Sequence, residues 1–75
     1  MRPISVIAHD ITRNWTNVNF AAAPYLRAMY SLQALSDQYG LDSGRDIVSR
    51  FLSNTSSWRG EEAKRIRAEL KGMLK

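Results

Sequence analysis

The chain has 75 residues, 44% of them apolar, and carries 11 basic against 7 acidic side chains for a net charge of +4. It has no cysteine and one histidine, which excludes a disulfide-stapled miniprotein, a thiolate zinc site and a histidine-rich metal cluster. A chain this short buries only about 60% of its unfolded surface, so one small domain over residues 1–75 is expected, with little core to spare for a catalytic cleft. Seventeen Leu, Ile, Val and Phe residues, with two Trp and three Tyr, argue against disorder.

Four helical patterns follow one another, and no strand-like alternation persists. The first covers residues 3–14. Pro3 suits a first helical position, and Ile4, Ile7, Ala8, Ile11 and Trp15 fall within about 100° on a helical wheel. The Asn-rich stretch from Asn14 to Asn19 ends it, because Asn and Thr side chains compete for backbone bonds. The second pattern is read over residues 22–38, starting just before Pro24. Tyr25, Ala28, Met29, Leu32, Leu35 and Tyr39 make one apolar arc, and Leu26, Tyr30 and Ala34 a second. A helix apolar on most sides is expected at the centre of the fold, closed by Gly40 as a left-handed cap.

The third helix is expected over residues 43–53. Asp42 or Ser43 caps it, Ile47, Val48, Phe51 and Leu52 face inward, and Asn54-Thr55-Ser56-Ser57 breaks it. The fourth is expected over residues 58–74, with Ser57 as its cap. Ala63, Ile66, Leu70, Met73 and Leu74 form its inner face, and Glu61 and Glu62 near the start with Lys71 and Lys75 near the end suit the helix dipole. The expected fold is all-α, a compact bundle of four short helices.

The longest apolar run is Phe20-Ala21-Ala22-Ala23. A membrane span needs about 20 apolar residues and a signal peptide a stretch of about 7–15. The reading is a soluble cytoplasmic protein that does not engage a membrane.

Little in the chain points to catalysis. His9 and Asp10 are adjacent, and successive helix residues diverge by about 100°, so a Ser5-His9-Asp10 triad does not form on one helix. The span from Asp37 to Asp46 lacks the spaced oxygen ligands of a calcium loop. Gly40 and Gly44 do not match a phosphate loop. No enzyme activity, cofactor or metal is expected.

The basic residues are more informative. Residues 1–58 carry five Arg and four Asp, and residues 59–75 carry six cations against three Glu. Lys64, Arg67, Lys71 and Lys75 fall within about 80° of the wheel and form an acid-free stripe. Such a stripe tracks phosphates or meets an acidic protein surface. The plain alternative is a set of solvated stems along the core edge. Trp58-Arg59-Gly60 is the most distinctive local feature. Trp58 either staples the fourth helix to the core, with Gly60 admitting close packing, or forms with Arg59 a binding anchor of the kind Trp and Arg supply at hot spots. Arg outnumbers Lys eight to three, which favours multidentate contacts with phosphate or carboxylate. The candidate binding residues are Trp58, Arg59, Lys64, Arg67, Lys71 and Lys75. A helix-turn-helix reading puts its turn at Tyr39 to Ser43, but the third helix would offer DNA only Arg45, Ser49 and Arg50, opposed by Asp42 and Asp46.

At Tyr39-Gly40-Leu41-Asp42-Ser43-Gly44, Phe51-Leu52-Ser53-Asn54, Trp58-Arg59-Gly60-Glu61 and Glu69-Leu70-Lys71, the chain resembles a group of short proteins encoded on phages and conjugative elements of Gram-positive bacteria. The likeness covers roughly residues 15–75. It supplies no catalytic or binding residue to carry over. It implies an accessory protein of a mobile element, a class that regulates element genes or blocks host defence, CRISPR nucleases included. The expected function is therefore non-catalytic: an accessory factor or inhibitor docked on a nucleic-acid-handling host protein through an acidic surface of that partner. The alternatives are direct DNA binding or transcription regulation by the basic last helix, as a homodimer, and a small structural or assembly role.

Overall fold

The computed structural model describes residues 2–75. Its elements run α1 (Ile4–Asn14), α2 (Ala23–Met29), β1 (Gln38–Tyr39), β2 (Asp42–Ser43), α3 (Gly44–Ser53) and α4 (Glu61–Leu74). The described residues are mostly helical, with one two-stranded antiparallel hairpin pairing Gln38 with Ser43 and Tyr39 with Asp42. The fold is therefore not purely α. The radius of gyration is 11.0 Å, close to the roughly 11 Å of a globule this size. No helix among the described residues is long and apolar enough to cross a membrane.

The inner faces of α1, α3 and α4 match their wheels. Ile4, Ile7, Ala8, Ile11 and Trp15 are buried, as are Ile47, Val48 and Phe51, and Ala63, Ile66, Leu70 and Met73. They meet Ala22, Leu26, Ala28, Met29 and Leu32 in one cluster. Trp15 and Trp58 stack inside it at 5.3 Å with planes 9° apart, and Phe51 meets Trp15 edge-on.

The second helix is much shorter than expected. It starts at Ala23 with Pro24 in its first turn, and ends at Met29 rather than at residue 38. The cause is a long-range competition for backbone bonds. The N–H groups of Tyr30, Ser31 and Leu32 donate to carbonyls only three residues back, which tightens the chain out of the helix. The carbonyls of Leu32 and Gln33 then accept the N–H groups of Ser5 and Ile4, at 2.8 and 3.0 Å. They thereby satisfy donors at the start of α1 that no side chain caps. Asp37 closes the next turn, its carboxylate accepting the N–H groups of Gln33 and Ala34.

Gly40 does not cap a helix. It takes φ +63 as the first residue of the hairpin loop, and among the described residues no non-glycine has positive φ, so Leu41 does not share that conformation. This matches a type II′ turn, in which glycine occupies the first central position. With a hairpin at Tyr39 to Ser43 and α2 ending at Met29, the helix-turn-helix geometry is absent.

Ser43 caps α3 as expected, its Oγ accepting the N–H of Asp46 at 3.1 Å. Ser57 caps nothing: α4 begins three residues later than expected, and its N-cap is Gly60 at φ 108, with no side-chain bond. Gly60 serves backbone conformation, because a Cβ there would meet nothing within 4 Å. Gly44 is the glycine that admits close packing. A Cβ there would lie 2.8 Å from the Ala34 oxygen and 2.9 Å from that of Leu35.

Candidate functional site

The residues with catalytic potential are not joined to one another. The Ser5 hydroxyl accepts from Gln33 Nε2 at 3.2 Å. His9 is exposed and lies 4.7 Å from the Tyr30 ring, whose hydroxyl bonds to Thr12 Oγ1. Asp10 is taken up by two arginines. No group of three or more His, Cys, Asp or Glu side chains that could hold a metal ion occurs among the described residues.

The charged residues of α4 divide into two sides. Toward α1 lies an ion cluster. Arg2 grips Glu69 with both arms of its guanidinium, Nε to Oε2 at 2.9 Å and Nη2 to Oε1 at 2.7 Å, and reaches Asp10 at 3.1 Å. Arg65 bridges Asp10 at 3.2 Å and Glu62 at 2.7 Å. The guanidiniums shift the carboxyls. Partial burial pushes Asp10 up, but hydrogen bonds from Arg2 and Arg65 outweigh it and hold the group below its ordinary value. Glu69 is held low by the hydrogen bond from Arg2, and Glu62 by that from Arg65. Arg2 is raised further by its bond to Glu69.

The other side holds the cations expected to bind, and they have different fates. Trp58 is 3% exposed and lies in the core against Trp15, so its ring is a staple and presents no anchor at the surface. Arg67 is half-buried and turned inward. Its Nη1 donates to the carbonyls of Trp58 and Thr55, at 2.6 and 3.1 Å, and its guanidinium sits 5.9 Å from the Trp58 ring. It ties the α3–α4 connection to α4. Arg59, Lys64, Lys71 and Lys75 are exposed, and none forms an ion pair among the described residues. Lys64 to Lys75 spans roughly 16 Å at about 1.5 Å per residue.

A further cation joins this edge. Arg45, exposed at the start of α3, donates from Nη1 to the Leu74 carbonyl at 2.7 Å. It caps the last turn of α4 and adds charge beside Lys71 and Lys75. Sequence spacing gives no sign of it, since Arg45 and Leu74 are 29 residues apart.

Two other surfaces stand out. A cleft of about 400 Å³ opens between Pro3, Ala34, Leu35 and Met73, with Arg2 at its wall. Among the described residues, four large apolar side chains are exposed: Val6, Phe20, Tyr39 and Leu41. Comparison with protein-family models, curated proteins and solved structures finds no match to this chain.

Proposed function

We propose that this chain is a non-catalytic binding protein that docks the basic edge of α4 on an acidic surface of a protein partner. With the resemblance to mobile-element proteins, the reading is an accessory factor or inhibitor acting on a nucleic-acid-handling host protein, a defence nuclease among the candidates. The observation that carries the binding reading is the separation of charge around α4. Asp10, Glu62 and Glu69 are all engaged by Arg2 and Arg65, while Arg59, Lys64, Lys71 and Lys75 remain without carboxylate partners among the described residues. Glu61, exposed three residues before Lys64, is the one acid of α4 outside that cluster, and it forms no ion pair among the described residues. Complementary charge across an interface steers encounter and sets partner choice.

The test is charge reversal at Lys64 and Lys71. Both are exposed and neither supports the fold, whereas Arg67→Glu would strip the carbonyls of Thr55 and Trp58 of their donor. The tagged wild-type chain is expected to retain a nucleic-acid-handling protein from host lysate, identified by mass spectrometry. Lys64→Glu with Lys71→Glu is expected to lose it with an unchanged helical circular dichroism spectrum. Retention of the partner by the folded double variant refutes the reading. Direct DNA binding by the same edge gives a different result. Neutralising about four phosphates weakens binding roughly a hundredfold between about 50 and 200 mM salt, which fluorescence anisotropy on a short duplex resolves.

A further inference from the structure

We infer that the tip of the β1–β2 hairpin is the apolar anchor of this docking surface, and that its partner is an acidic protein segment presenting apolar side chains to receive Leu41. The inference rests on the reading of the α4 edge as a protein-docking surface.

The placement follows from three contacts. Ser43 ends the hairpin and caps α3, its Oγ accepting from the Asp46 N–H. Two residues on, Arg45 reaches the Leu74 carbonyl at 2.7 Å. The Asp42 carboxylate lies 3.7 Å from Arg50, on α3 itself. The hairpin, the first turn of α3 and the last turn of α4 therefore occupy one end of the molecule. Leu41 is four residues from Arg45, at most about 14 Å of chain. Lys71 and Lys75 flank Leu74 on the helix that Arg45 caps.

Leu41 is fully exposed and Tyr39 is 44% exposed. Neither belongs to the core cluster. The turn does not call for leucine: the positive φ falls on Gly40, and loop positions of this kind favour Asn, Asp, Ser and Gly. Leu41 and Tyr39 share this end of the fold with Arg45, Lys71 and Lys75, none of which has a carboxylate partner among the described residues; of the acids here, Asp42 is taken by Arg50 and Asp46 stands in the first turn of α3, so cations outnumber acids. An apolar centre with a charged rim is the layout of a protein interface, in which a few large side chains supply most of the affinity. A phosphate backbone would satisfy the lysines and leave Leu41 in water. An acidic segment with interspersed apolar residues satisfies both.

Three labelled probes test this against the full chain by fluorescence anisotropy at low salt: a peptide alternating Glu and Leu, an all-Glu peptide of equal charge, and a short DNA duplex. The Glu-Leu peptide is expected to bind at least tenfold tighter than the all-Glu peptide. Leu41→Ser is expected to abolish that advantage, a loss of about ten- to a hundredfold, the range a buried leucine contributes, and to leave all-Glu binding unchanged. Lys71→Glu with Lys75→Glu is expected to weaken both peptides. Equal binding of the two peptides or no effect of Leu41→Ser overturns the anchor while the basic edge stands; tighter binding of the duplex than of the Glu-Leu peptide overturns the anchor together with the protein-docking reading of that edge. No effect of the charge reversal, or no binding by any probe, overturns both.

Discussion

Gly44→Ala places a methyl group where the fold has no room, and the cost can be worked from the neighbouring atoms. The new Cβ would lie 2.8 Å from the Ala34 oxygen, 2.9 Å from the Leu35 oxygen and 3.2 Å from the Leu35 carbonyl carbon. All three are backbone atoms, so no side chain can swing aside. Two hydrogen bonds hold the same segment, from Gly44 N–H to Asp37 O at 2.7 Å and from Arg45 N–H to Leu35 O at 3.1 Å. Overpacking costs about 1–3 kcal/mol, and stretching each bond costs a fraction of the about 0.5–1.5 kcal/mol it contributes. Alanine returns about 0.5–1 kcal/mol through its helical preference. The net loss is about 2 kcal/mol, a large share of the roughly 4–11 kcal/mol expected of a domain this size. The midpoint of thermal unfolding, followed by circular dichroism, should fall by about 8–16 °C. Gly72→Ala is the control. A Cβ there meets nothing within 4 Å and the backbone is helical, so that variant should gain about 0.4–1 kcal/mol. Equal responses of the two variants, or a loss at Gly72 larger than at Gly44, would refute the argument from close approach.

Gly60→Ala should destabilise by about 1–3 kcal/mol through backbone strain alone, since φ 108 and ψ 176 lie in a region reserved for glycine; a urea midpoint unchanged from wild type would count against this. Trp58→Ala should cost about 3–5 kcal/mol and remove the near-ultraviolet dichroism of the stacked Trp15–Trp58 pair, whereas retention of both would mean the ring lies outside the core. Stability should also fall in acid. Asp10, Glu62 and Glu69 sit below their ordinary values in the fold, so the unfolded chain binds protons more readily. Their contribution is complete above the unfolded carboxylate range near pH 4 and is lost as the pH drops from there through the lowered values of the fold. Glu69→Gln should flatten the fall in urea midpoint below about pH 5, and an unchanged pH profile in that variant would exclude the Arg2 grip as its source.

How much of this was legible follows from the range of each determinant. Helix α1 is written in Ile4, Ile7, Ala8, Ile11 and Trp15, whose spacing alone sets a buried face, and the Ser43 cap of α3 is local in the same sense. The limit of α2 is not local. The apolar residues Leu32 and Leu35 continue its period, so the pattern argues for more helix. The carbonyls of Leu32 and Gln33 instead serve the start of α1, through bonds between residues 27 and 29 apart in sequence. No window of residues around Met29 holds that information. The hairpin was hidden for a related reason: Gly40 signals positive φ, which both a helix cap and a type II′ turn require, and only the early end of α2 decides between them.

The basic edge was legible as a set of positions, but the wheel could not say which cations are free. Arg67 belongs to the stripe by angle, and its length lets it turn inward to two carbonyls that water would otherwise have to serve. Trp58 suits a core staple or a surface anchor by residue type, and the Trp15 face it stacks on decides for the core. Arg45 enters the edge only because α3 runs back along α4 and brings its first turn to the last carbonyls of that helix. What remains exposed is three lysines and two arginines, with Glu61 and Asp46 nearby but in no ion pair with them. Lysine and arginine stems are long enough to reach across a helix to a carboxylate, as Arg65 does to Glu62 and Asp10. Of the acids of α4, Glu62 and Glu69 stand on the far side, held by Arg65 and Arg2, and Glu61, three residues before Lys64, pairs with none of the lysines. The free charge is thus a consequence of where the carboxylates were placed in α1 and α4, and moving one of them is the direct way to switch the edge off. Ala68 borders the lysines on the wheel and is exposed. Ala68→Glu would put a carboxylate within one helical turn of Lys64, Lys71 and Gly72 without touching the core. It is expected to weaken partner binding as charge reversal does, at unchanged stability, and undiminished binding by that variant would show that the edge is solvated and idle.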